Sequence, residues 1–309
     1  MIVIEGLTKI YPGRTTPSVE GVNLELRDGE ILGLVGLNGA GKTTTIRTAA
    51  GVAFPSSGRI LVDGHDIVQD KVRASQGIGW VPELFPFGPE DRARRLLVYY
   101  AGFHDLTGGL ANRRARDVLE RVGLAEFAED RIRTFSQGMR RRFGLAAALL
   151  ADPQNLLLDE ILNGLDPEGM AFARNWVAGL KRENKSVLLS SHLLSEVQAL
   201  ADRIAFIHHG HLIRVVDRTE LARACKQILH VTLDNPDSAA AAYLGSLGAV
   251  QAEGKSFLLS EPSADSAAIT AELVKRGYRV AEIWMEDASL EGFFLELIHS
   301  SETTAGVAK

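Results

Sequence analysis

The sequence predicts an α/β fold: a buried, mainly parallel sheet carrying a helical insertion, with a small α+β domain after it. Three observations predict it. Apolar runs of strand length alternate with helical stretches, as at residues 31–35, 155–159 and 186–190. An arginine-rich stretch of helical character, about residues 84–151, interrupts that alternation. From about Cys225 the order becomes β-α-β-β-α-β, that of ferredoxin-like domains.

The element that organises the rest is the run at residues 31–35 with the loop after it. It ends in Gly36-Leu37-Asn38-Gly39-Ala40-Gly41-Lys42-Thr43-Thr44, which fits G-x-x-x-x-G-K-[ST] without a mismatch. A helix then runs to Ala50 and is closed by Gly51. Strand, glycine loop and helix are the context of a phosphate-binding loop. The glycines let the backbone curl and aim its N–H groups inward. The helix start adds the positive end of its dipole. Lys42 would reach β- and γ-phosphates, and the Thr43 hydroxyl would bind Mg²⁺. A dinucleotide fingerprint is disfavoured, because the third glycine at its offset is missing.

Upstream, residues 2–5 and 22–26 read as strands around a turn-rich segment with Tyr11, Pro12 and Gly13. Tyr11 is a candidate to stack on a purine ring, against the plainer reading of a packed loop tyrosine. Residues 58–64 and 78–81 read as further strands, the second halted by Pro82. In the insertion, Pro86, Gly88 and Pro89 make a loop, and residues 90–102, 112–122 and 137–151 have helical character. Its twelve arginines are offset by interspersed acids and read first as solvated helix faces, second as a docking face.

The parallel pattern then resumes, with a helix at 167–181, a strand at 186–190 and a helix at 193–200. A final hairpin, 203–208 with 211–215, turns at Gly210. Its histidines His208, His209 and His211 alternate in facing and have no adjacent carboxylate, so no metal site is expected there. The C-terminal part carries no evident chemistry and reads as a packing or dimerisation appendage, closed by a helix at 289–299.

Formal net charge is −5 and the sequence pI about 5.9, which argues against a chain built to grip nucleic acid. The lone cysteine, Cys225, excludes an intrachain disulfide and a cysteine-rich zinc site, as suits a reducing compartment. The N-terminus lacks the pattern of a signal peptide, and no apolar run is long enough to span a bilayer.

A second motif weights the first. The apolar run Leu156-Leu157-Leu158 ends in Asp159 and Glu160. In a shared sheet Asp159 would emerge beside Thr43 and hold Mg²⁺, leaving Glu160 to orient and deprotonate the attacking water. Between the motifs lies Phe135-Ser136-Gln137-Gly138-Met139, where Ser136 caps a helix and offers a second anion site.

Over roughly residues 1–220 the sequence resembles the ATP-binding-cassette ATPases, within the P-loop NTPases. The phosphate loop, residues 135–139, Asp159-Glu160, Gly164-Leu165-Asp166-Pro167 and Ser190-Ser191-His192 carry the resemblance. It implies a head-to-tail dimer with two ATP molecules between the copies. Lys42 and Thr43 of one copy, and Ser136 and Gly138 of the other, would hold each ATP. His192 would contact the γ-phosphate, Asp166 would couple the sites and Tyr11 would stack on adenine. The segment 138–142, the single cassette and residues 289–297 resemble the ATPase subunits of ABC-2-type exporters. That implies an integral membrane permease as partner and a cytoplasmic location, peripheral on the inner face of the cell membrane. The organisation expected is an ATPase domain at 1–220 and a small domain at 225–309.

Three positions depart from the family pattern. Glu83 stands where a Mg²⁺-contacting glutamine is usual, Gln137 replaces the first signature glycine, and Ile161 replaces the proline after the catalytic glutamate. Cassettes of DNA repair and of translation are the alternative. The insertion is too short for the repair type's coiled coil, and one cassette is too few for the translation type. A module that binds ATP without hydrolysing it is disfavoured, because Lys42, Asp159, Glu160 and His192 are all present.

Overall fold

Alternating apolar and polar residues pair β1 (Ile2–Lys9) with β2 (Val19–Leu26) antiparallel, Ile2 opposite Leu26 and Ile4 opposite Leu24. The computed structural model describes residues 1–84, 87–88, 90–224, 228–286, 290–295 and 297–298. Pro86, Pro89, Cys225, Ser289 and His299 lie outside the described residues, so the expected loop and part of the closing helix go without description. The chain divides into two compact units, Met1–Asp217 and Arg218–Lys309.

In the first unit, β3 (Ile31–Val35) leads into α1 (Lys42–Ala49). There follow β4 (Ser57–Val62), β5 (His65–Asp66), α2 (Lys71–Gln76) and β6 (Ile78–Val81). The insertion supplies α3 (Ala93–Ala101), α4 (Gly108–Arg121) and α5 (Gln137–Ala148). The chain returns through β7 (Asn155–Asp159), α6 (Pro167–Arg182), β8 (Ser186–Ser191), α7 (Leu194–Leu200), β9 (Arg203–His208) and β10 (His211–Asp217).

Two sheets result. The larger runs β10-β9-β3-β8-β7-β6, parallel except for β10. Strands β3, β7 and β8 are buried at every position, which is why they read as continuous apolar runs. The hairpin at 203–217 forms as expected, but its first strand is also the parallel neighbour of β3. The smaller sheet, β2-β1-β4-β5, is antiparallel and was not separable in the sequence from the larger one. Ile4, Val22 and Leu24 from it share one core with Leu32, Leu34, Leu157, Leu188 and Ile46 of α1. Each such side chain, fully buried, contributes about 1.5–3 kcal/mol.

In the insertion, α4 buries Ala111, Ala115, Val118 and Leu119, one stripe at helical spacing. Some of its arginines pair with surface acids, Arg131 with Glu90 at 2.6 Å and Arg121 with Glu183 at 2.8 Å. Such exposed pairs contribute about 0–1 kcal/mol each. Arg114, 3.6 Å from Asp152, also donates to the carbonyls of Leu149 and Leu150, at 2.7 and 2.9 Å, satisfying the C-terminal end of α5.

The second unit opens with α8 (Arg218–Ala224). It continues β11 (Ile228–Leu233), α9 (Ser238–Leu247), β12 (Ala249–Glu253), β13 (Ser256–Ser260), α10 (Ser266–Lys275) and β14 (Val280–Glu286). The sheet order β12-β13-β11-β14, antiparallel throughout, is that of a ferredoxin-like domain. Asp237 and Asp265 cap α9 and α10, accepting from the N–H groups of Ala240 and Ala268. Residues 290–295 are helical.

Candidate active site

Strand β3 lies between β8 and β9, so its loop emerges at the carboxyl edge of the parallel strands. Two glycines are required by contact. A Cβ on Gly36 would stand 2.3 Å from the Ile207 carbonyl oxygen. Gly41, at φ 110°, precedes the first turn of α1, and a Cβ there would meet Val19 at 2.6 Å. The chain therefore turns tightly enough for Lys42 to fold back. Its Nζ donates to the carbonyls of Gly36 (2.7 Å) and Leu37 (3.2 Å) and pairs with Glu160 Oε1 at 3.1 Å. Both side chains of this pair are nearly fully buried.

The two acids meet the loop from β7. Pairing in register sets Asp159 opposite Ser190 of β8. The Ser190 hydroxyl donates to Asp159 Oδ1 at 2.8 Å and accepts from the Glu160 N–H at 3.0 Å. Thr43 Oγ1 donates to the same Asp159 oxygen at 3.2 Å. Burial raises the Asp159 carboxyl above its ordinary value; the Ser190 and Thr43 hydroxyls oppose this, and the charges of Glu160 and Glu83 add to it.

Glu160 is in the left-handed region, at φ 52°. Such a backbone costs about 1–3 kcal/mol and persists where its surroundings hold it. Here the holding groups are explicit. Asn163 Nδ2 donates to Glu160 Oε2 at 2.6 Å, His192 Nδ1 lies 3.2 Å from the same oxygen, and Arg141 donates to the Ile161 carbonyl at 2.7 Å.

An open cavity of about 860 Å³ covers this cluster. Asn38, Gly39, Ala40, Gly41, Lys42, Thr43 and Thr44 line it, as do Tyr11, Glu83, Glu160 and His192. Asp159 sits beneath it, behind Thr43. Ser136, Gly138 and Asp166 do not line it. They line a separate cleft of about 350 Å³ with Gln137 and Gly164. Ser136 Oγ accepts from the Met139 N–H at 3.2 Å as the cap of α5, and Asp166 accepts from the Gly169 N–H at 2.8 Å as the cap of α6.

The structure gives roles to residues for which sequence reasoning named none, Ser190 having entered only as part of Ser190-Ser191-His192. Ser190 bridges the two acids, Asn163 and Arg141 hold the turn, and Arg14 and Arg47 add positive charge to the cavity wall. Only Ser190 had a signal: with β7 and β8 adjacent and parallel, the strand ends at 159 and 190 fall side by side.

Among the described residues, no helix is long and apolar enough to cross a membrane. The family model described as ABC transporter matches residues 19–163. Linearmycin resistance ATP-binding protein LnrL of Bacillus subtilis is 39% identical over 221 residues, 72% of this chain and 70% of that protein. Bacitracin transport ATP-binding protein BcrA of Bacillus licheniformis is 34% identical over 298 residues, 94% of this chain and 95% of that one. That match runs through both units. A solved ATP-binding subunit of an ABC transporter superposes with a TM-score of 0.65 at 25% identity, covering 72% of this chain and 92% of that chain. With a complete phosphate loop facing a buried acid pair, and relatives of this length and identity, the chain belongs to the ABC transporter family as an ATP-binding, ATP-hydrolysing subunit.

Proposed function

We propose that this subunit drives export through a separate integral membrane protein, as one half of a head-to-tail dimer that closes on two ATP molecules. One observation carries the dimer: among the described residues, the capped start of α5 opens on a cleft that shares none with the phosphate cavity. A second copy, reversed, brings that anion site over the phosphates. The names of LnrL and BcrA, resistance to one antibiotic and transport of another, support export. The subunit then works at the cytoplasmic face of the membrane.

Thr43, Asp159 and Glu83 offer only hard oxygen donors, and Thr43 and Asp159 lie within 3.2 Å of each other. This donor set suits Mg²⁺, which favours oxygen ligands and keeps several waters. When bound, the ion neutralises charge on the β- and γ-phosphates. The chain's own groups do the rest. Backbone N–H groups from Gly39 to Thr44 hold the phosphates, and Lys42 supplies a charge-assisted donor. Glu160 takes a proton from the water whose oxygen attacks γ-phosphorus, while the bond to the β-bridging oxygen breaks and ADP leaves. His192, beside Glu160, offers a ring nitrogen to the γ-phosphate.

The test is purification from detergent extract, with Glu160→Gln as the trapped form. An integral membrane partner should co-purify, and the variant should become dimeric by light scattering only with ATP and Mg²⁺. A variant that stays monomeric at saturating ATP, from a preparation without a membrane partner, overturns the proposal.

A further inference from the structure

Arg141 lies on α5 one turn beyond Ser136, Gln137 and Gly138, yet it does not line their cleft. It donates to the carbonyl of Ile161, the residue that follows the left-handed Glu160, at 2.7 Å. The side chain is half-buried, and burial lowers its pKa from the ordinary arginine value. Glu83 and Glu160 oppose that shift, so both acids of the phosphate cavity act on this one cation. The neighbouring Arg142 stacks over the Phe172 ring of α6 at 4.3 Å, a second contact of the same helix, beside Ile161. Gln137, at the start of α5, also comes near the residue after that turn, since a Cβ on Gly164 would lie 3.7 Å from its Nε2.

We propose that Arg141 is a positioning residue that ties the capped start of α5 to the peptide after Glu160. An anion held by one copy at that helix start then sets the hydrolytic carboxylate of the same copy's own phosphate cavity. The inference rests on the two-copy arrangement proposed above. Its physical basis is rigidity. A charge-assisted hydrogen bond in a half-buried position constrains a backbone that is costly to hold, and the far end of α5 is held as well, by Arg114 at the Leu149 carbonyl. Linkage between two sites needs an element that both bias, and here it is α5 with the 160–163 turn.

Arg141→Met keeps the aliphatic stem and removes the donor, while Arg141→Lys keeps one donor and the charge. In Arg141→Met, kcat for ATP should fall about tenfold, roughly 1.4 kcal/mol of transition-state stabilisation, with KM within about twofold. The dependence of rate on ATP should lose its cooperativity, and Arg141→Lys should recover much of the lost kcat. In a Glu160→Gln background, Arg141→Met should still form the ATP-dependent dimer. An unchanged kcat in Arg141→Met, a loss carried mainly by KM, or an Arg141→Lys no better than Arg141→Met would each overturn the assignment. Absence of a dimer in Glu160→Gln alone defeats the two-copy arrangement instead, and leaves the kcat of Arg141→Met to decide whether Arg141 positions Glu160.

Discussion

Lys42 and Glu160 form an ion pair, Nζ to Oε1 at 3.1 Å, with 5% and 7% of the two side chains exposed. The pair joins the glycine loop before α1 to the turn after β7, so removing one partner strands the other in a poorly hydrated place. Lys42→Ala is expected to weaken ATP binding by about 1.5–3 kcal/mol, the value of a hydrogen bond to a charged group. It should also lower folding stability by about 3 kcal/mol, because Glu160 is left as a buried charge without its ion-pair partner. Adding Glu160→Gln should restore much of the stability and none of the affinity. ATP titration and thermal unfolding of the two variants check this. A double variant no more stable than the single one counts against the pair.

Ser190 is expected to matter to turnover more than to binding. Its hydroxyl fixes Asp159 Oδ1 and the Glu160 N–H together. Ser190→Ala leaves that N–H without its acceptor in a buried position. We expect kcat to fall about tenfold, for one net hydrogen bond of about 1–1.5 kcal/mol, with little change in KM. Steady-state kinetics that show the loss in KM instead would place Ser190 in substrate binding.

These contacts mark how far the sequence could be read. The phosphate loop was legible because its residues are contiguous, and β3, β7 and β8 because strands covered on both faces are apolar throughout. The ferredoxin-like order of the second unit was legible from elements in series. Pairing was not. Residues 2–5 read as a strand, but nothing local says that they join 57–62 rather than the parallel sheet. The bond from Arg141 to Ile161 crosses twenty residues and depends on how a helix packs against a turn. Ser136 and Asp166 were expected at a nucleotide, and what places them together is the capping of two separate helices beside one cleft.

Asp159 gives the site a pH signature in stability. Its pKa is raised in the folded protein, burial being the largest cause. Between the ordinary carboxylate value and the raised one, the folded state binds more protons than the unfolded state. Stability therefore falls as pH rises through that window, and above it the ionised carboxylate is a fixed cost. Asp159→Asn removes the cost. The variant should melt higher than wild type near neutral pH, and the difference should shrink as pH is lowered toward the ordinary carboxylate range. Hydrolysis in the variant should be lost at every pH, since the neutral amide is a poor Mg²⁺ ligand. A difference in melting temperature that does not vary with pH would assign the shift to another group.

The second unit has a hydrophobic core of its own, built from Leu229, Val231, Leu233, Phe257, Leu259, Ile269 and Leu273. Every residue placed at the phosphate cavity belongs to Met1–Asp217. The two functions of the chain, nucleotide chemistry and whatever the second unit contributes, should then separate by mutation. Leu259→Ala opens a cavity in the second core and should destabilise that unit by about 2–5 kcal/mol. In calorimetry this should move one transition down and leave the other in place, with the ATP dissociation constant unchanged. A chain ended at Ala224 should keep measurable basal ATPase activity, within a few-fold of the full chain. A shortened chain that is folded and binds ATP but hydrolyses none would give the second unit a part in catalysis.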